Sequence, residues 1–354
     1  MAAYTTIDNP ELYFQTKLYT GTGSSQAITL DGDENMQPDF IWFKNRTSAQ
    51  AHCLVDAVRG RKGIMSDSTS AEMTFDATKD FTSFDSDGFT VGIPHQVNSL
   101  NYNTGSIVSW NWKAGTSWSN DASATGVGSL DSSGSKSSIS GFSIISFTGT
   151  ESGTPSIAHG LSSTPEFIIS KSRDVADNWM VFHGSFSAQD YMILNTSAAK
   201  ASASSVWNSL PSSTVINMGD NAGVNDDGAM IMYAWNSVQG FSKFGTYTGN
   251  ANADGPMIFL GFRPAFVLFK RTSGSAANWQ LWDNKRNPTN AVNRSLLPDD
   301  SAAEQTDQNI DFLAQGFKIR SSAAHLNADG VTFIYAAFAE APFVNSKGVP
   351  CNAR

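Results

Sequence analysis

The sequence predicts an all-β protein of three tandem antiparallel β-sandwich repeats, and three observations predict it. Charged residues make up only 16% of the 354-residue chain, against about 25% in an average soluble domain, so Ser, Thr, Asn and Gly must supply the polar surface. Asp outnumbers Glu; Asp favours turns, whereas Glu favours helix interiors. Most telling, one short apolar stretch occurs three times, as PDFIWFKNR (Pro38–Arg46), PEFIISKSR (Pro165–Arg173) and PAFVLFKRT (Pro264–Thr272).

Each copy opens on an aromatic-Thr-Gly, at Tyr19–Gly21, Phe147–Gly149 and Tyr247–Gly249. The apolar stretch follows. Pro38, Pro165 and Pro264 cannot donate to a ladder and suit the first residue of a strand; Lys44, Lys171 and Lys270 close it. Phe40, Ile41, Trp42 and Phe43 are apolar at every position instead of alternating, which predicts a strand covered on both faces, or one with a face on a core and the other on a neighbour. A second apolar stretch comes next: HCLVD (His52–Asp56), WMVFH (Trp179–His183) and WQLWD (Trp279–Asp283). Turns of small and acidic residues then end at Glu72, Lys200 and Glu304. DGFTVG (Asp87–Gly92) and QGFKIR (Gln315–Arg320) mark a further strand, with only TVIN (Thr214–Asn217) in the middle copy. Asn- and Gly-containing turns, which are hairpin material, feed final strands ending at Trp110, Trp235 and Phe338. Landmarks in the same order three times make an internal repeat. Its length, roughly a hundred residues, is that of a self-sufficient β-sandwich.

These landmarks set the boundaries. Residues 1–115 form the first repeat, 116–140 a Ser/Gly-rich linker or arm, 141–240 the second repeat and 241–354 the third. With no linker between them, the second and third repeats should pack as a rigid pair, and the first should stand apart.

The net charge of −9 is spread without a basic stripe, which argues against nucleic acid. No apolar run approaches the roughly 18 residues a membrane span needs, and the start shows no basic-then-apolar signal peptide. Synthesis in a reducing cytoplasm is therefore expected. There the sequons at Asn45, Asn195 and Asn293 are silent, and Cys53 and Cys351 lack metal or redox spacing. Asp31–Asn35 reads DGDEN, the opening of a calcium loop, but Met36 and Trp42 stand where such a loop needs Gly and Glu. No metal and no cofactor are expected. No nucleophile, phosphate-binding or zinc motif occurs, so no catalytic residue is expected and the protein reads as a non-enzyme. Asp56-x-x-Arg59 and Asp283-x-x-Arg286 read as local salt bridges, with His183 replacing the Asp in the middle copy. Among the tryptophans, Trp42, Trp110, Trp179, Trp235 and Trp279 fall on repeat strands and belong to the core. Trp112 and Trp118 lack repeat partners and read as subunit contacts, with sugar stacking as the alternative.

The stretches GFSKFGTYTGNANADGPMIFLGFRPAFVLFKRT and IDFLAQGFKIRSSAAHLNADGVTFIYAAFAEAPF, with the ending GVPCNAR, resemble a repeat module of virion proteins from tailed bacteriophages, marine and cyanobacterial phages among them. The resemblance is best over residues 140–354, and the first copy is a more distant relative. It implies concanavalin-like or jelly-roll-like sandwiches in a virion surface protein. That protein would be a head decoration, a knob or a short tail-fibre-like component. Its expected partners are other capsid or tail proteins and further copies of itself. The alternative it implies is a tail adhesin binding host-surface polysaccharide. The family offers no catalytic residues to carry over.

Overall fold

In the computed structural model, which describes residues 4–352, the protein is all-β and every strand pairing is antiparallel apart from two isolated bridges. The α-helical pieces are single turns, Ala122–Thr125, Ala222–Asn225 and Ala324–Asn327.

Three large sheets share one four-strand order. In the first, Phe14–Thr20 pairs with Ser106–Trp112, then Phe40–Asn45, then Cys53–Asp56. In the second the series is Phe142–Thr148, Ala229–Trp235, Phe167–Ser172 and Met180–His183. In the third it is Ser242–Thr248, Thr332–Pro342, Phe262–Arg271 and Gln280–Asp283. A small sheet backs each one, giving the sandwich character; it is built on Gln26–Thr29, Ser156–Ala158 and Met257–Phe259 respectively. The all-apolar strands are covered on both faces. Ile41 and Phe43 face the small sheet through Phe81 and Phe89, while Phe40 and Trp42 face the other two large sheets. All six residues of Phe40–Asn45 are buried, as are all of Phe167–Ser172 and Phe262–Arg271.

The inner faces of the three large sheets meet in one aromatic core. Phe40, Phe167 and Phe266 lie there beside their register partners Trp112, Trp235 and Phe338. The first sheet therefore does not stand apart. Phe40 stacks on Tyr233 of the second sheet with centroids 4.3 Å apart, and Phe14 stacks on Phe338 of the third at 5.4 Å. Apolar inner faces on all three sheets leave no stable arrangement in which one is exposed.

Four expectations change on this structure. Residues 116–140 are not a free linker. Thr116–Asn120 and Ser132–Ser137 form a hairpin that pairs with Phe142–Thr148 and extends the second sheet at its edge. Thr116–Asn120 is the edge strand and needs little burial, while Ser132–Ser137 is paired on both sides and buries small hydroxyl side chains at Ser132, Ser135 and Ser137, so neither strand carries a hydrophobic pattern. Trp112, expected beyond the last strand, ends it: Phe40 pairs with Trp112 as Phe167 pairs with Trp235 and Phe266 with Phe338. Trp110, which the sequence aligned with Trp235, sits two residues earlier, opposite Trp42. Pro38 and Pro165 precede their strands, but Pro264 lies inside Phe262–Arg271. A register irregularity flanks Pro264 there, the setting in which a sheet tolerates a missing N–H.

A buried Asn recurs in all three sandwiches. Asn101, Asn225 and Asn327 are each fully buried. Their Oδ1 atoms accept from the backbone N–H of Thr22, Thr150 and Asn250, in the turns after the first strands. Their amides donate to Gly92, Gly219 and Ser321, beside the small sheets. Each Asn thus joins three loops whose carbonyls and amides would otherwise be orphaned. In the first copy the turn is one residue longer, running from Asn101 to Gly105 against Asn225 to Gly228 and Asn327 to Gly330.

Candidate functional site: the buried contacts between sheets

The ionisable groups that the sequence singles out lie where one large sheet meets the next. The strand Cys53–Asp56 ends on Asp56, and Arg59 follows after a tight turn whose N–H groups Asp56 caps. The two side chains pair with 0% exposure. Arg59 also donates to Glu72 Oε2 at 3.2 Å and to the Tyr233 hydroxyl of the second sheet at 3.0 Å. Tyr233 in turn donates to Asp56 at 2.7 Å. Arg173 of the second sheet closes the cluster with two bonds to Glu72, at 2.9 and 3.0 Å.

The contact from the third sheet to the first is built alike. Arg286 pairs with buried Asp283 and reaches Glu304 at 3.2 Å. Trp110 of the first sheet donates to Asp283 at 3.0 Å, and Arg46 holds Glu304 with bonds of 2.8 and 3.0 Å. Both pairs are salt bridges, as the sequence implied, and both also bind a neighbouring sheet.

The contact from the second sheet to the third carries none of these charges, and the substitutions compensate one another. His183 replaces Asp, Phe186 replaces Arg, Lys200 replaces Glu and Thr272 replaces Arg. The donor position of Trp110 and Tyr233 is Ala336. With no side-chain donor opposite, His183 instead meets the Tyr335 carbonyl at 3.3 Å. Burial lowers its pKa to about 4. Lys200 pairs with Asp190, where the other sheets have Glu72 with Lys62 and Glu304 with Arg294. Every charge in the set has moved together, and an unmatched buried charge is avoided. A backbone bond survives at all three contacts: Glu72, Lys200 and Glu304 donate to the carbonyls of Arg173, Thr272 and Arg46 at 2.8, 3.0 and 2.9 Å.

The three lysines of the opening stretch act beside these clusters. Lys44 donates to the Ser301 carbonyl of the third sandwich at 2.8 Å, and Lys270 to the Ser197 carbonyl of the second at 2.8 Å. Lys171 stays within its own sandwich, on Ser172 and Val175. Burial lowers each of their pKa values to about 8. Two indoles add matching bonds: Trp179 donates to the Met65 carbonyl and Trp279 to the Ile193 carbonyl, at 2.8 and 2.9 Å. At the corresponding position His52 accepts from Trp42 within its own sheet instead.

The remaining sequence candidates separate cleanly. Trp112 is 2% exposed in the shared core, so it cannot be the exposed subunit contact that the sequence suggested. Trp118 is half-buried on the edge hairpin with its ring against Gly160, and it fastens that hairpin to its own sandwich. In the DGDEN loop Asp31 is drawn to Lys17, and Glu11 accepts from the Asp33 N–H. Among the described residues no group of three or more His, Cys, Asp or Glu side chains is placed to hold a metal. Cys53 is buried and Cys351 exposed, both as free thiols. No helix among the described residues is long and apolar enough to cross a membrane.

A family model described as a domain of unknown function, DUF7483, matches residues 9–342. The chain belongs to that family. The matched span covers all three large sheets and both edge-hairpin strands, so the DUF7483 model treats as one domain what the shared core holds together. No curated protein matches the chain.

Glu72 gives these contacts a measurable pH dependence. Burial alone would raise its pKa, but Arg173, Lys62 and Arg59 outweigh burial and lower it from 4.5 to about 2. A depressed carboxylate contributes stability that is complete above its unfolded pKa and is lost as pH falls through the folded one. Wild type should therefore exceed Glu72→Gln in stability near neutrality, by about 1–2 kcal/mol once solvent screening of this partly exposed carboxylate is allowed for. The gap should shrink below pH 4.5 and close near pH 2. Urea melts of both proteins across that range check it; a gap independent of pH would mean that Glu72 acts through packing and not through charge.

Proposed function

We propose that this DUF7483 protein is a non-catalytic structural component of a bacteriophage particle, displayed on the virion surface. In this reading its three sandwiches are tandem repeats joined into one cyclic body. The observation that carries the proposal is the cyclic reuse of equivalent residues: first to second, second to third and third to first, each contact closed by the same backbone bond. The paired groups Asp56–Arg59 and Asp283–Arg286, with Glu72 and Glu304, are committed to these contacts, and the outer loops of three similar units remain for neighbours. The sequence resemblance over residues 140–354 supplies the phage setting. A cyclic body with three related outer surfaces suits contact with several neighbouring subunits, in a head decoration or knob or in a short tail component, as a symmetric oligomer.

The test is to quantify this chain against the major capsid protein in purified particles. Copies in the hundreds per particle support a head-coating role, and copies in the tens or fewer support a tail component. Absence from the particle overturns the proposal.

A further inference from the structure

The outer edge of the small sheet is treated differently in each sandwich. Strand register pairs Ile28 with Phe89, Ile157 with Ile216 and Ile258 with Phe317. Ala27, Ser156 and Met257 therefore hold one place, and Thr29, Ala158 and Phe259 the next. In the second sandwich the chain itself covers this edge. Ser129 and Leu130 donate their backbone N–H groups to the Ser156 carbonyl at 2.8 and 3.1 Å. The Ser156 N–H donates to Ser129 Oγ at 2.9 Å, and Ser132 Oγ donates to the Ala158 carbonyl at 2.9 Å. In the third sandwich no segment of the described residues lies there. The Ile319 N–H bonds to the Pro256 carbonyl and the Leu260 N–H to the Gln315 carbonyl, so the alternating backbone groups of Met257 and Phe259 turn outward. The Met257 N–H and C=O have no partner among the described residues. The Phe259 carbonyl accepts from Lys243 at 2.8 Å, which leaves it a second lone pair.

The side chains at this open edge are apolar. Met257 is 45% exposed and Phe259 54%, where the open edge of the first sandwich carries only Ala27 and Thr29. Of the large apolar side chains exposed among the described residues, these alone share a strand. Antiparallel pairing of this strand with itself is self-complementary. With Ile258 on a two-fold axis, Met257 of each copy lies opposite Phe259 of the other. Those two residues turn their N–H and C=O groups outward, so each pair exchanges backbone bonds. The same pairs set a thioether against an aromatic ring, a favourable contact, and bring the two Ile258 side chains together on the inner face. The register also lays the Asp254 end of each strand beside the Lys243 end of the other. The Asp254 side chain is 74% exposed and shared with Lys318 and Arg320. Lys243 meets the Phe259 ring and carbonyl and forms no ion pair among the described residues.

We propose that the open edge Met257–Phe259 is a homodimer interface, in which this strand pairs antiparallel with the same strand of a second copy. The small sheets of the two third sandwiches then join into one. The second sandwich takes no part, because its edge is covered, and the first lacks the apolar pair. The inference supplies a contact surface for the symmetric oligomer of the proposed function without resting on residence in a particle; sedimentation and particle counting fail separately.

Sedimentation of the full chain from about 10 µM to about 1 mM tests it. A three-residue edge is small for a stable dimer, so a reversible dimer with a dissociation constant of about 100 µM is expected. Met257→Ala with Phe259→Thr installs the residues of the first sandwich at exposed positions. It should weaken association by about tenfold or more and leave the melting temperature unchanged. Cysteine pairing reads the register, in a Cys351→Ser background that removes the exposed native thiol. Met257→Cys and Phe259→Cys should cross-link when mixed, at a Cα separation of about 5.5 Å. Neither should cross-link alone, since identical positions lie about 8 Å apart, beyond disulfide reach. Persistence of the dimer in the double variant would overturn the inference, and so would cross-linking of either cysteine variant by itself. A monomer at every concentration would overturn it too; association appearing only on Lys243→Ser would then assign that lysine to guarding the edge.

Discussion

Arg59→Met should lower the stability of the protein by about 3–5 kcal/mol, the cost of leaving one half of a buried ion pair without its partner. The side chains of Arg59 and Asp56 are both 0% exposed, so water cannot replace the lost guanidinium. Only the Tyr233 hydroxyl and nearby backbone N–H groups would remain to the Asp56 carboxylate. The chain itself contains the control. At the corresponding contact His183 and Phe186 stand in for Asp and Arg and leave no unpaired charge. The double variant Asp56→His with Arg59→Phe copies that solution and should be more stable than Arg59→Met alone. Urea denaturation followed by tryptophan fluorescence measures all three. A single variant within about 1 kcal/mol of wild type would mean that the charged cluster carries little of the contact.

Much of this arrangement was legible in the sequence, and what was not has a physical reason. The run from Phe40 to Phe43 announced a strand covered on both faces, because alternation disappears only when neither face meets water. It could not say that the second cover is another sheet of the same chain. That face is set by long-range packing, which leaves no local period. The hairpin at Thr116–Asn120 and Ser132–Ser137 was hidden for the opposite reason: an edge strand with little to bury and a strand that buries only small hydroxyls carry no hydrophobic pattern, and Ser and Gly read as a loop. Trp112 was misplaced by two residues because Trp110 and Trp112 both face inward, and period-two alternation fits either one as the partner of Trp235.

The compensating set at the second contact was present in the sequence all along. His183, Phe186, Lys200 and Thr272 stand at aligned positions, and each departs from the charged residue of the other copies. Read singly, each change is an isolated substitution at one repeat position. Read together, the changes describe one contact rebuilt with His183 and Phe186 in place of the Asp–Arg pair and with Lys200 paired to Asp190 within its own sheet.

Trp112→Ala should cost about 3–5 kcal/mol, the range for removing a large aromatic from a packed core. Its indole lies 4.8 Å from Phe14 and 5.2 Å from Phe40 in its own sheet, 6.3 Å from Trp235 in the second, and 5.5 Å from both Phe266 and Phe338 in the third. Trp112, like Trp235 and Phe338, touches rings of all three sheets, so the effect should extend beyond the midpoint. Wild type should unfold in a single denaturant transition, since no sheet can leave without exposing the inner faces of the other two. In Trp112→Ala the transition should broaden, with a smaller denaturant slope, as the sheets begin to separate independently. Trp118→Ala removes a half-buried indole from an edge hairpin and should cost under about 2 kcal/mol without changing the slope. The contrast decides between two roles for Trp112. A core residue lowers stability in the monomer at any protein concentration. A subunit contact would leave the monomer's melt intact and shift only its assembly, which sedimentation of the two variants would reveal.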